Sequence, residues 1–311
     1  MGLVEAWGGN PVGWIAAHLV EGFYNLVYAL THARSWLDWL SWENTVEDKE
    51  SLMRFIYFGA SREFLFVFID LFLVLTIAGM FYRPLLWSIV RGLEAFANRI
   101  GRTAAWAGLA MVILQILIIF LQRVFAVSQI SFGFGFSFAF DVSWWSESLK
   151  FYNAIIVALC ATYTFVQGGH VRVDLIYSGV SYRTKKGIDM FGSIVFMLPA
   201  AFIVWLYGWF FMWRHLIVPN PSASNSLDQL VMKARALRWN VETIGFSPNG
   251  FNAYFLFKML LLAYTGTVII HAVAFFYRSF LERKEGEARD GRYHDKDVLG
   301  DAQAELVAEI H

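Results

Sequence analysis

The sequence predicts an all-α fold: a polytopic transmembrane helix bundle of about five spans, with an additional N-terminal amphipathic or interfacial helix. Three observations predict it. Of the 311 residues, 58% are hydrophobic and 18% aromatic while only 16% are charged, against about 45–50% apolar and about 25% charged in soluble domains. Mean hydropathy is +0.49, and the excess sits in runs almost free of charge. Several of these runs reach the roughly 20 residues that cross a hydrocarbon core about 30 Å thick. The runs are also continuous, whereas a transmembrane β-barrel would show segments of about 10 residues with alternating polarity.

Residues 11–32 are apolar and aromatic, with Trp14, Phe23, Tyr24 and Tyr28, but carry His18, Glu21 and Asn25 near their centre. A charge at mid-bilayer depth costs a few kcal/mol. A helix lying in the interface or packed on the bundle is therefore expected, with a sixth span as the alternative. Residues 36–42 are rich in tryptophan, as at a membrane–water boundary, and the acidic stretch 43–50 reads as a solvated turn. Five spans follow: 64–81, interrupted by Asp70; 104–121; 151–166; 190–213, uncharged but carrying Pro199; and 251–277, with Lys258 and His271. Asp70 is costly in lipid unless it is paired or faces protein, and Pro199 is expected to kink its helix. His271 reads as an interfacial hydrogen-bonding residue.

The connections set orientation through lysine and arginine. Arg83, Arg91, Arg99 and Arg102 follow the first span, and Arg172, Arg183, Lys185 and Lys186 separate the third and fourth. Arg278, Arg283 and Lys284 open the tail, whereas residues 126–147 hold only Asp141 and Glu147 as charged groups besides none that is basic. The basic segments, the C-terminus among them, are thus expected in the cytoplasm. The long link 214–252 carries Lys233, Arg235 and Arg238. Within it Ser226 precedes Leu227, Leu230, Val231, Ala234 and Leu237, the spacing of a helix with one apolar face. Residues 247–250 (Ser-Pro-Asn-Gly) form a turn signal, and the aromatic alternation of 132–140 reads as a membrane-surface loop.

Composition excludes several functions. Basic and acidic residues balance at 25 each, leaving no nucleic-acid footprint. Cys160 is the single cysteine, so no internal disulfide can form. The N-terminus lacks the pattern of a cleaved signal peptide, and insertion is expected to be driven by the spans. No phosphate-binding G-x-x-x-x-G-K-[ST] loop, no H-E-x-x-H pair and no nucleophile motif occurs among the residues. Neither catalysis nor a cofactor or metal site is expected.

The most specific stretch runs from SWWSE (143–147) through GGHVRVDLIY (168–177) and YRTKKGID (182–189) to FMLPAAF (196–202). It resembles the DctQ-type small membrane subunit of TRAP (tripartite ATP-independent periplasmic) transporters, in which an H-[VI]-R-V-D loop is followed by a basic stretch. Gln122-Arg123-Val124-Phe125 is similar to the end of that family's first helix. Glu242, Pro248, Gly250 and Lys258 are similar to the segment before its last helix. The resemblance covers 104–279 and divides the chain into an N-terminal extension (1–60), an additional span with its link (61–103), a four-helix DctQ-like domain (104–280) and a polar tail (281–311).

What the resemblance implies is an accessory subunit of a bacterial inner membrane, in a sodium-coupled system that takes up a carboxylate-type solute. Its partners would be a large elevator-type membrane subunit, a periplasmic solute-binding protein and the membrane lipids. The small subunit would carry no substrate site of its own. His170, Arg172 and Asp174 are candidates for an ordered contact with a partner subunit, as are Arg123, Glu147, Glu242 and Lys258. Arg172, Arg183, Lys185 and Lys186 can equally be topology signals alone. Arg123 and Glu147 are expected to pair between the second and third spans. The six aromatic residues between Trp205 and Trp213 cover most of their helix's circumference, so some must face protein. The rival reading is a haem-bearing anchor of an oxidoreductase, with His18 and His271 as axial ligands.

Overall fold

Among the described residues five helices are long and apolar enough to cross a membrane: Arg62–Phe81, Arg83–Val124, Val142–Gln167, Tyr182–Arg214 and Phe255–Glu285. They fall on the five expected runs. The structure is a computed structural model and describes residues 7, 9–133, 137–168, 177, 179–243 and 250–295.

The chain opens with α1 (Pro11–Thr31), started by Asn10, whose side chain accepts from the Gly13 amide at 2.6 Å, and by Pro11 in the first turn. A four-residue helix, α2 (Arg34–Leu37), leads to α3 (Val46–Gly59). The stretch 43–50 is therefore a helix start instead of a turn. Thr45 and Asp48 form a reciprocal capping box, and Glu47 and Asp48 place negative charge on the first turn, where the exposed amides favour it. Ser61 caps α4 (Arg62–Phe81) through the Phe64 amide at 3.1 Å.

Next comes α5 (Arg83–Ile119), which continues as a π-helical turn, Phe120–Val124. At about 1.5 Å per residue its 37 residues reach about 55 Å, well beyond the hydrocarbon core. The expected basic link after the first span is thus the charged first half of this helix. It is helical because Leu86, Val90, Ala97, Gly101 and Ala104 recur at helical spacing and are buried. Strands β1 (Gln129–Gly133) and β2 (Ser137–Asp141) pair antiparallel. Of the expected surface loop at 132–140, the described residues are strand instead of loop, and the period of two is that of a strand.

Asp141 caps α6 (Val142–Gln167) through the Ser143 amide. This extends the short third run to 26 residues, and the helix stops at Gly168, in the left-handed conformation at φ 82°. The fourth span is α7 (Tyr182–Gly192), a π turn (Ser193–Met197) and α8 (Leu198–Arg214) in sequence. Pro199 has no N–H to give the preceding turn, and the widened turn lies directly before it. Two-residue strands β3 (Ile217–Val218) and β4 (Arg238–Trp239) pair around α9 (Leu227–Ala234), whose Ser226–Gln229 capping box starts it. The predicted helix ends at Ala234 instead of reaching Leu237. Residues 244–249, with the Ser-Pro-Asn-Gly signal apart from Gly250, lie outside the described residues. The last helix is α10 (Phe255–Glu285). Arg278, Arg283 and Lys284 therefore belong to this helix and not to a tail.

Packing centres on α10, which touches α5, α6, α7 and α8. Its apolar window is 56% buried, against 11–22% for the other four spans. It is the post around which they stand, and their outer faces remain open to lipid or protein. α5 and α6 form an antiparallel pair brought close at Gly101, where a Cβ would lie 2.2 Å from the Tyr163 Cβ. α1 lies across α4, with Gly22 against Asp70.

Candidate functional site

Polar and aromatic constellations gather at the two ends of the helical span formed by α7 and α8. At the α8 end, Trp205, Trp209 and Trp213 recur every four residues and so share one face. That face meets α3. The last four carbonyls of a helix lack intrahelical donors; here the Trp209 indole donates to the Ile56 carbonyl and Trp205 to the Gly59 carbonyl, both at 2.8 Å. Gly59 is required at this point, because a Cβ there would lie 2.3 Å from the Trp209 ring. The protein surface that these three aromatics face is therefore the chain's own α3. Tyr207 and Phe211 point away and are exposed.

Beside them, Glu242 and Lys258 form an ion pair, and the same Glu242 oxygen lies 3.4 Å from His215 Nε2. The Lys258 ammonium stands 5.0 Å from the centre of the Phe211 ring. Sequence reading named Glu242 and Lys258 separately; the structure joins them and adds His215. The β3–β4 ladder explains the meeting, because it continues into a Glu242 amide to His215 carbonyl bond of 2.9 Å. Nothing local in the sequence signals a pairing that depends on a two-residue ladder.

The expected Arg123–Glu147 pair is not made. Arg123 is exposed at the end of α5, on the π turn, and Glu147 accepts from the Phe251 amide at 2.9 Å. Glu147 thus ties the start of α6 to the approach to α10. The second span's widened last turn re-aims Arg123 relative to a regular helix.

At the α7 end the groups are charged. Arg278 makes a two-pronged bond to Glu94, Nε to Oε1 at 2.5 Å and NH2 to Oε2, with both side chains 5% exposed. Its remaining nitrogen reaches Glu282 at 3.3 Å and the Arg292 carbonyl at 3.1 Å. Lys186 bonds Glu282 at 2.6 Å and Asp290 at 3.0 Å. The Tyr182 hydroxyl donates to Asp290. Burial works against ionisation of Asp290, but the Lys186 ammonium and the hydrogen bonds from Lys186 and Tyr182 outweigh it and hold the carboxyl below its usual value.

Of the three basic residues at 183–186, Lys186 is thus built into the bundle. Lys185 stands 5.5 Å from the Tyr177 ring centre and Arg183 is exposed. Residues 286–295 fold back on α5, where Asn98 donates to the Asp295 carbonyl and carboxylate. His170, Arg172 and Asp174 lie outside the described residues, as does the far tail from 296.

Asp70, 1% exposed, is pressed against Gly22, and neither of its oxygens has a hydrogen-bond partner among the described residues. Of the two expected situations, paired or facing protein, Asp70 thus shows the second. His18 stacks on Phe66 at 4.8 Å, and His271 stacks on Phe165 and Phe275. Among the described residues these ring contacts of the two histidines do not overlap, and the haem reading finds no support. No group of three or more metal-capable side chains occurs among the described residues.

These features define a polytopic helical membrane protein whose polar clusters join its own helices. Within that class, residues 134–228 match the family model described as Tripartite ATP-independent periplasmic transporters, DctQ component. The chain is similar to that component over a stretch running from the hairpin through α6, α7 and α8 to the start of α9. The match takes in Glu147, His170, Arg172, Asp174 and the basic residues at 183–186. It stops short of Arg123, Glu242 and Lys258, and is narrower than the resemblance expected over 104–279. No curated protein and no solved structure matches the chain.

Proposed function

We infer that the chain is the small membrane subunit of a TRAP transporter, packed against a larger membrane subunit and having no solute path or catalytic role of its own. The match at residues 134–228 carries this reading. The polar clusters agree with it. The ion pairs and indole bonds described above link helices of this chain to one another, which is what a scaffold needs. Transport sites instead use broken helices that aim backbone groups at a solute.

In this reading the transporter takes up a carboxylate-type solute with sodium, a periplasmic binding protein delivers it, and the small subunit stabilises the static part of the larger one. The basic end of the bundle, with the C-terminus, faces the cytoplasm of a bacterial cell. Open faces on four of the five spans leave room for a neighbouring subunit to pack by shape fit, the driving force available in lipid.

Reconstitution into liposomes with an inward sodium gradient tests it. Uptake is expected only when the larger subunit and the binding protein accompany this chain. Sodium-driven uptake by the purified chain alone overturns the accessory role.

A further inference from the structure

We propose that the charged-to-apolar junction of α5 is a binding site for one anionic glycerophospholipid, its phosphate held by Arg99, Arg102 and Thr103 and its acyl chain laid along the helix from Trp106. The inference requires only that the chain spans a membrane and does not depend on the transporter reading.

A cavity of about 240 Å³ opens at this junction, lined by Ala95, Arg99, Arg102, Thr103, Trp106 and Asp295. Arg99 is exposed, and its guanidinium makes no hydrogen bond or ion pair among the described residues. Arg102 is held at the cavity by Asp295, 3.2 Å away. Arg99 and Arg102 thus bring two guanidinium groups to the cavity, and that of Arg99 lies open to an incoming anion. The Asp295 carboxylate is also occupied by Asn98, at 3.0 Å, which directs an incoming anion toward Arg99. The Thr103 hydroxyl donates to the Arg99 carbonyl at 2.8 Å and still offers its lone pairs or, by rotation, its proton.

The position of the cavity selects a lipid over a soluble anion. From Thr103 to Gln122 α5 carries no charged residue, so Arg99 and Arg102 mark where the helix enters hydrocarbon. Trp106 is 70% exposed one turn further on, the place an indole takes at a membrane interface. Leu109, Ile113 and Ile116 continue the same face at spacings of three and four, and each is about half exposed. Thr103 to Ile113 spans about 15 Å, half the thickness of a hydrocarbon core. A phosphate at the arginines therefore has a groove of one leaflet's depth for its chain. Basic pockets at the ends of transmembrane helices suit anionic headgroups, and arginine grips phosphate oxygens with paired donors.

The test is native mass spectrometry of the delipidated chain in detergent, offered equal amounts of phosphatidylglycerol and phosphatidylcholine of the same acyl composition. The native chain should retain one phosphatidylglycerol in at least fivefold preference. Arg99→Gln, which removes no hydrogen bond or ion pair among the described residues, should erase most of that preference. Arg99→Gln with Arg102→Gln should erase it fully, and Trp106→Ala should lower retention of both lipids. Equal retention of the two lipids, or an unchanged preference in Arg99→Gln, overturns the proposal. Displacement of the lipid by millimolar inorganic phosphate would make this a soluble-anion site and overturns it too. So would loss of assembly with a larger membrane subunit in the double variant while lipid preference stays intact, since protein would then occupy the groove.

Discussion

At one end of the fourth span α3 is fastened to α8 by indole rings, and at the other α5 and α7 are fastened to α10 by charged side chains. The indoles answer carbonyls that the last turn of α3 leaves without donors, so a few neutral hydrogen bonds accompany broad ring packing. The charged end gathers Glu94, Arg278, Glu282 and Lys186, of which the first three are 5% exposed or less. Each buried charge there depends on its neighbours for solvation. The two ends should therefore fail differently: the aromatic end by degrees, as contact area is lost, and the ionic end sharply, when one member is taken away.

The largest expected effect follows from the ionic end. Arg278→Ala strands Glu94 in a dry site and leaves Glu282 to Lys186, and removing one partner of a buried pair costs about 3–5 kcal/mol. Replacing both members, Arg278→Met with Glu94→Leu, leaves no stranded partner in the pair and should recover at least half of the loss. The readout is the denaturation midpoint of the purified chain in mixed micelles, followed by helical circular dichroism. A double variant as damaged as the sum of its singles would break the comparison, because the pair would then matter for its bulk and not for its charge.

At the aromatic end Trp209→Ala should cost about 3 kcal/mol through the void it leaves, whereas Trp209→Phe should cost about 1 kcal/mol, near the value of one hydrogen bond. The loss should also be local. Limited proteolysis is expected to cut between α2 and α3 in Trp209→Ala while the five long helices stay protected. Cutting spread evenly along the chain would mean that the aromatic end and the bundle form one cooperative unit, and that the two ends do not differ in kind.

The same contrast explains what the sequence could reveal. The five spans were legible because lipid demands continuous apolar runs such as residues 104–121. The first half of α5 was not legible, because its buried positions alternate with Arg83, Arg91 and Arg99, so that composition suggests a hydrophilic link. Only the helical recurrence of Leu86, Val90, Ala97 and Gly101 betrays it. Thr45 and Asp48 similarly carried a capping signal within a stretch that reads as an acidic turn.

The site was less legible than the fold. Glu242 and Lys258 could be singled out, but His215 joins them through a strand pair of two residues. Glu94 and Arg278 lie 184 positions apart, and no local pattern links residues across that distance. Arg278 was read as a topology signal because a lone arginine after an apolar run serves that purpose in most membrane chains. Some of the six aromatics between Trp205 and Trp213 were expected to face protein, but neither which ones nor the receiving helix, α3, had a signature strong enough to compete with an unseen partner.

The smallest expected effect lies at the rim of the ionic end and distinguishes rim from core. Asp290 is about half exposed in its pair with Lys186, so Asp290→Asn should cost about 0.5 kcal/mol at neutral pH, in the range of solvent-screened pairs. Its carboxyl titrates below the ordinary value in the folded chain because Lys186 and Tyr182 favour the ionised form over the cost of burial. The unfolded chain binds the proton more readily, so this contribution is complete above the ordinary carboxylate range, near pH 4, and is lost as pH falls through the lower folded value. The difference in denaturation midpoint between the native chain and Asp290→Asn should thus be present at pH 7 and shrink as pH falls through the lowered folded value. A difference that grows on acidification would have the wrong sign for a carboxylate held ionised by Lys186. It would move Asp290 out of the network and leave Glu282 as the acidic partner of Lys186 among the described residues.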